Sequence, residues 1–259
     1  PEPEPDWLVG VTGETELKRA IIDHAFGDHD KASPAKVEAA YRRHTANREI
    51  SEAVERIKET GATVLYRSVD VRDQAAVRLV FDEIRDIGPV RALIHAAGTI
   101  EDRRIDDKSM AQFERVFDTK VVGLRHLLDA ADPNHLAHLV LFSSVSGRYG
   151  RQGQVDYAMA NEVLNKVAHR WAGDHPSCSV VAINWGPWDG GMVTPALKRD
   201  FVRSGVGLIP MEAGARSLVE ELACDRNGDV EIVIGSALPQ SSDERTPAAT
   251  NLRHDLMPA

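Results

Sequence analysis

The sequence predicts an α/β fold, a parallel sheet covered by helices on both faces. Two observations carry that prediction. From Gly61 onward, short apolar runs alternate with longer stretches of helical period, which is the signature of strand–helix–strand units. With 42% of its 259 residues hydrophobic, the chain also has enough apolar material to bury such a sheet on both sides.

Taken in order, residues 1–13 read as a linker, because Pro1 to Asp6 alternates proline with acid and stays extended. Residues 14–60 read as a helical insertion. Glu14–His29 has a short helical pattern, and Ser33-Pro34 opens a second helix, with Ser as N-cap and Pro in the first turn. Val37, Tyr41, Ile50, Val54 and Ile57 share its apolar side as far as Thr60, and Gly61 ends it. The expected strands are Thr63–Val69, Ala92–His95, Leu139–Phe142, Ser179–Asn184 and Glu231–Ile234. Between them the expected helices are Asp73–Ile87, Met110–Ala131, Tyr157–Gly173 and Met211–Cys224. Residues 61–239 thus form the main domain. Residues 240–259, rich in Ser, Thr, Pro, Asn and Asp, read as a C-terminal linker.

Composition excludes several classes of function. A net charge of −9 argues against a nucleic-acid partner, since phosphate binding needs a basic face. No apolar run approaches the ~18 residues of a membrane span. The N-terminus has neither the basic nor the apolar region of a signal peptide. Two cysteines, Cys178 and Cys224, make neither a disulfide framework nor a metal cluster; they read as core residues of a protein in a reducing cytoplasm. The first residue is Pro1 rather than Met, so the chain reads as a piece of a longer polypeptide.

The chemistry is written in residues 141–165. A strand ends in Ser143-Ser144, a glycine-bearing loop follows, and then a helix carries Tyr157 and Asn161. Ser144 and Tyr157 are thirteen residues apart, and Tyr157 and Asn161 share a helix face at i and i+4. Here the sequence resembles the short-chain dehydrogenase/reductase family, in which Ser holds the substrate carbonyl and Tyr gives it a proton. Most of that family carries Lys where this chain has Asn161. The ketoreductases of modular polyketide synthases and of polyunsaturated fatty acid synthases place the Lys on the preceding helix instead, in a K-x-x-G-x-x-x-L context. Lys120, Gly123 and Leu127 match it, and Lys120 lies 24 residues before Ser144. A tyrosine or a lysine alone on a helix is ordinarily a surface residue; four residues in order, with this spacing and this strand–loop–helix context, are not.

The constellation makes sense as a proton supply. A free Tyr titrates near ~10, too high for acid–base work at neutral pH. A nearby ammonium is expected to lower it. Ser144 and Tyr157 together offer donors to a developing alkoxide.

The same resemblance assigns further roles. His95-Ala96-Ala97-Gly98 resembles the segment that passes the adenine ribose, and Asp70-Val71 the pair that contacts adenine. Gly186-Pro187-Trp188 resembles the turn beside the nicotinamide, and Gly190, Gly191 and Met192 the start of a mobile lid. Ile100-Glu101-Asp102 sits where some polyketide ketoreductases carry L-D-D, a motif that accompanies a D-configured 3-hydroxyl. Against each stands a plainer reading: a small-residue turn, a capping Asp, or a solvated charged loop. One tempting phosphate cradle, Trp7 to Glu16, is rejected. It lacks a third glycine, and Glu14 and Glu16 would face the phosphates with the wrong charge.

The implied fold is a Rossmann-like parallel sheet of the short-chain dehydrogenase/reductase type, N-terminally incomplete, its first nucleotide-binding strands lying before Pro1. Strand Thr63–Val69 would then have no neighbour to pair with and could not pair with Ala92–His95 directly. The implied activity is NADPH-dependent reduction of a 3-ketoacyl thioester on an acyl carrier protein, without a metal. Implied partners are the carrier protein, other domains of a dimeric synthase, and an N-terminal polypeptide segment that completes the sheet. NADPH rather than NADH rests on the resemblance alone. Two other readings stand beside this one. A scaffolding fragment would fail to bind cofactor in a titration. A free-standing short-chain alcohol dehydrogenase fits poorly with the Lys120/Asn161 exchange.

Overall fold

A computed structural model describes residues 2–26, 33–223 and 229–235. The chain divides into two units, Pro1–Val69 and Asp70–Ala259.

The first unit is a helical hairpin, α1 (Glu14–Ala25) and α2 (Pro34–Glu59). Ser33 caps α2 through its Oγ, which accepts from the Lys36 N–H at 3.3 Å. Gly61, at φ +86°, follows its C-terminus as the sequence suggests. The expected first helix reaches only Ala25; residues 27–29 lie outside the described residues. Part of the expected extended linker is instead packed: Asp6–Leu8 form a 3-10 turn with Leu8 fully buried. The Arg48 guanidinium holds it there, donating to the Leu8 carbonyl at 2.7 Å and the Val11 carbonyl at 2.8 Å. Thr63–Val69, expected as a strand, forms none. A strand exists through ladder hydrogen bonds to a neighbour, and its β-formers, Val64, Tyr66 and Val69, have no such ladder to join.

The second unit opens with α3 (Gln74–Arg85), capped by Asp73. Four strands follow: β1 (Ala92–His95), β2 (His138–Ser144), β3 (Ser179–Trp185) and β4 (Glu231–Ile234). They lie in the order β1-β2-β3-β4 with every pair parallel. Parallel neighbours need crossovers rather than hairpins. These are α4 (Met110–Ala130), then α5 (Val145–Tyr149) with α6 (Val155–Asp174), then α7 (Pro195–Arg203) with α8 (Met211–Ala223). Sequence reasoning predicts a loop where α5 stands and no element where α7 stands. Both helices are short, and each is held by a local cap, Ser144 and Thr194 respectively.

Period-two alternation sorts the strand residues between two cores. Leu139, Leu141, Val180 and Ala182 pack with Leu124 of α4 and Leu164 of α6 on one face. Val140, Val181, Ile183 and Trp185 pack with Leu218 and Leu222 of α8 on the other. Cys178 is a buried free thiol of the first core; Cys224 and the expected linker at 240–259 lie outside the described residues. The C-terminal ends of β2 and β3 therefore emerge between two filled layers, and the candidate site stands there. Among the described residues, β1 pairs with β2 alone, and its register does not involve Thr63–Val69. No helix among them is long and apolar enough to cross a membrane.

Candidate active site

Ser144 ends β2 and caps α5, its Oγ accepting from the Ser146 N–H at 3.1 Å. Tyr157 lies in the first turn of α6, with Asn161 one turn on; the Asn161 amide donates to the Tyr157 carbonyl at 2.7 Å. Lys120 arrives from α4. Its Nζ donates to the Phe142 carbonyl of β2 at 2.8 Å and lies 5.5 Å from the centroid of the Tyr157 ring. All four residues are buried. The structure thus gathers into one cluster the four residues that the spacing singled out.

Residues 95–98 contribute something the sequence does not announce, for they hold Lys120. The His95 Nε2–H donates to the Lys120 carbonyl at 3.0 Å. A Cβ on Gly98 would lie 3.0 Å from Lys120 Cε, so glycine leaves the channel through which the lysine stem passes.

Burial sets the electrostatics. It pushes Lys120 down to about 8, with no ion pair among the described residues to offset it. It pushes His95 down to about 4, keeping that imidazole neutral. Tyr157 is raised, chiefly by burial and further by the Asp102 carboxylate; Ser144 and Asn161 act in the other direction. This corrects the expectation that Lys120 draws the phenol down. Desolvation of the phenol outweighs the other influences on it, with the ammonium 5.5 Å from the ring centroid.

These groups border a cavity of about 870 Å³. Ser144, Tyr157, Lys120, Ala96 and the Gly186-Pro187-Trp188 turn line it, as does Met192. Its walls are largely apolar and include an aromatic cluster, the Trp185 ring standing 5.4 Å from Phe142 and 4.7 Å from Trp188. Other singled-out residues lie off the cavity wall. Ala97 does not line it, and Val71 packs against Gly123, where a Cβ would come within 2.7 Å of Val71 Cγ2. Asp70 is committed to Arg72, which donates to its carboxylate from Nη2 at 2.6 Å and holds it at about 2. Asp102 accepts two bonds at 3.1 Å from the Gln154 amide.

Three residues of the site escaped sequence reasoning. Gln154 is buried between Asp102 and Ser146, whose Oγ donates to its Oε1 at 2.8 Å. Lys108 and Asp156 form a buried ion pair at 2.6 Å. The one local hint was Asp156 itself, an acid in the first turn of a helix.

The cavity fits the nicotinamide end of a dinucleotide. A desolvated ammonium and a phenol share one wall, and Gly186 lies so close to Gly235 that a Cβ would meet its Cα at 3.2 Å. The N-terminus of α1 does not fit the phosphates: Glu16 occupies the space above Gly13, as its sequence implied.

Comparison with known proteins agrees with this geometry. The family model described as "KR domain" matches residues 34–190. The chain is 37% identical over 243 residues to a polyunsaturated fatty acid synthase polypeptide of Thraustochytrium, covering 90% of this chain and 8% of that protein. PlmKR1, the ketoreductase from the first module of phoslactomycin biosynthesis in Streptomyces sp. HK803, superimposes with a TM-score of 0.64 at 33% identity, over 70% of this chain and 42% of that one. A ketoreductase domain from the bacillaene assembly line gives 0.64 at 32% identity, over 73% of this chain and 47% of that one. With an α/β sheet, a Ser–Tyr–Lys–Asn cluster at its strand ends and these relatives, the chain belongs to the KR-domain family, the ketoreductases of polyketide and polyunsaturated fatty acid synthases.

Proposed function

We propose that this chain reduces the 3-keto group of an acyl thioester, carried on an acyl carrier protein, to the 3-hydroxyacyl thioester with NADPH. The observation that carries the reading is the meeting of Ser144, Tyr157 and the buried Lys120 on one cavity wall. A reduced nicotinamide held beside Gly186-Pro187-Trp188 would supply hydride to the carbonyl carbon. Ser144 orients the carbonyl oxygen, and Tyr157 transfers its hydroxyl proton to the oxygen as charge develops there. Lys120 stabilises the resulting phenolate through its ammonium, and Asn161 holds the turn of α6 that carries Tyr157. Apolar walls suit an acyl chain and keep bulk water from the reacting centre.

Ile100-Glu101-Asp102, bonded to Gln154 beside the Tyr157 turn, supports a D-configured product. The family resemblance assigns Ala96, Ala97, Gly98, Asp70 and Val71 to the adenosine side, and the cavity-lining Met192 to the substrate entrance. The chain spans 8% of the polyunsaturated fatty acid synthase polypeptide it matches, which supports work beside other domains. We take the assembly to be dimeric and cytoplasmic. Among the described residues β1 pairs on one side only, which supports completion of the sheet by a further polypeptide segment that brings the phosphate cradle.

The test is turnover of a 3-ketoacyl pantetheine thioester by the intact protein. NADPH is expected to be consumed in preference to NADH, giving the D-3-hydroxy product. Tyr157→Phe is expected to lower the rate on the order of 10²–10⁴-fold with the fold retained. Absence of turnover with either cofactor, or near-parental turnover by Tyr157→Phe, overturns the proposal.

A further inference from the structure

The segment after β1 is bound to the start of α6 by a row of interactions. The Arg103 N–H donates to the Gly153 carbonyl at 3.0 Å. The Gln154 amide donates to both Asp102 oxygens. The deepest of these ties is Lys108 to Asp156. Their side chains are 2% and 1% exposed, and the ammonium meets Asp156 Oδ2 at 2.6 Å. The same ammonium donates to the Glu101 carbonyl, also at 2.6 Å. On its other oxygen, Asp156 accepts the backbone N–H of Tyr157 at 2.9 Å. One lysine therefore grips the backbone beside Asp102 and, through a single carboxylate, the backbone of Tyr157.

The start of α6 needs that carboxylate. The first-turn N–H groups of a helix lack intrahelical acceptors and are ordinarily met by an N-cap side chain. Here the N-cap, Gln154, makes no capping bond, because its amide is spent on Asp102 and Ser146. Asp156 takes over, and an acid in the first turn also suits the helix dipole. Stability alone does not explain the lysine opposite it. Both charges lose their hydration, and an apolar pair of similar volume commonly serves a fold as well or better. A charged pair does, however, fix a distance and a direction that apolar contact leaves loose.

We propose that Lys108 is a positioning residue: acting through Asp156, it sets the Tyr157 turn of α6 against the Asp102 segment, and so fixes which face of the substrate ketone meets the proton donor. This rests on the ketoreductase reading above.

The test uses the intact protein and the double variant Lys108→Met/Asp156→Asn. That variant removes both charges while keeping an acceptor for the Tyr157 N–H. It is expected to fold with a urea midpoint close to the parent's. Its KM for a 3-ketoacyl pantetheine thioester should stay within a few-fold of the parent's, while kcat falls on the order of 10–10²-fold, as for an ångström-scale displacement of a reacting group. The minor 3-hydroxy epimer should rise on the order of tenfold. The single variant Lys108→Met leaves a buried carboxylate unpaired and is expected to lose fold stability as well. A folded double variant with parental kcat and epimer ratio overturns the inference. So does a double variant that fails to fold, since the pair is then a requirement of the fold. A parent that reduces no 3-ketoacyl thioester overturns the functional reading itself, and this inference with it.

Discussion

Lys120 is the residue in which structure and activity pull in opposite directions. Burial lowers it to about 8, so the ammonium that supports Tyr157 is lost as pH rises through that value. In the intact protein, kcat/KM is expected to decline above pH ~8, with Lys120→Met losing most of the activity and the alkaline limb together. A parental profile flat from pH ~7 to ~9.5 would refute the assignment of Lys120 as the ammonium. Stability should move the other way. The unfolded chain keeps the proton up to about 10.5, the folded chain only to about 8, so folding gains as pH rises between them. The ionised lysine costs the fold on the order of 3 kcal/mol below that window, and the cost is relieved across it. Spacing made Lys120 legible in the sequence. Its desolvation was not, because that depends on the approach of β2 and of residues 95–98.

Among the elements, the close packing of α5 on α6 carries the most specific expectation. A Cβ on Gly147 would lie 3.0 Å from Asn161 Cβ and 3.1 Å from the Glu162 nitrogen, and the helix backbone cannot yield there. Alanine would gain up to ~1 kcal/mol of helix propensity in α5, but overpacking of this kind costs about 1–3 kcal/mol. Gly147→Ala is therefore expected to lose ~1–2 kcal/mol by urea titration and to lower kcat, because α5 carries Ser144 at its cap and α6 carries Tyr157. Gly173, also helical, has nothing within 4 Å of its Cβ position. Gly173→Ala is expected to be neutral or to stabilise by ~0.5–1 kcal/mol. Equal effects at the two glycines would show that the α5–α6 contact is looser than it looks. The sequence marked α6 by its motif and hid α5, whose five residues are too few for a periodic signal.

At the scale of the whole molecule, His95 gives a global readout. Held near 4 while its ordinary value is near 6.5, it stays neutral in the fold and is protonated first in the unfolded chain. Its stabilising effect is complete above pH ~6.5 and is lost as pH falls towards ~4, a span worth up to ~3 kcal/mol. Urea titrations of the parent and of His95→Gln at pH ~7 and ~4.5 should show a steeper acid loss in the parent. Equal slopes would mean that the imidazole is not desolvated as the structure has it.

What the sequence determined by itself was local and periodic. Short apolar runs set between stretches of helical period placed the strands from Ala92 onward. A spacing of thirteen and then four residues placed Ser144, Tyr157 and Asn161 on one side of a strand–helix junction. Backbone geometry makes such patterns legible without knowledge of the rest of the chain. The tertiary structure alone decided the remainder. Thr63–Val69 has strand-like residues and no ladder, because pairing belongs to a neighbour and not to the segment. Lys108 directly follows a charged stretch, residues 101–107, that reads as a solvated loop, yet it is buried on a carboxylate 48 residues away. Tyr157, a lowered phenol on the evidence of spacing, is a raised one in the fold. Burial and partnership sum over distant parts of the chain, and no local spacing encodes that sum.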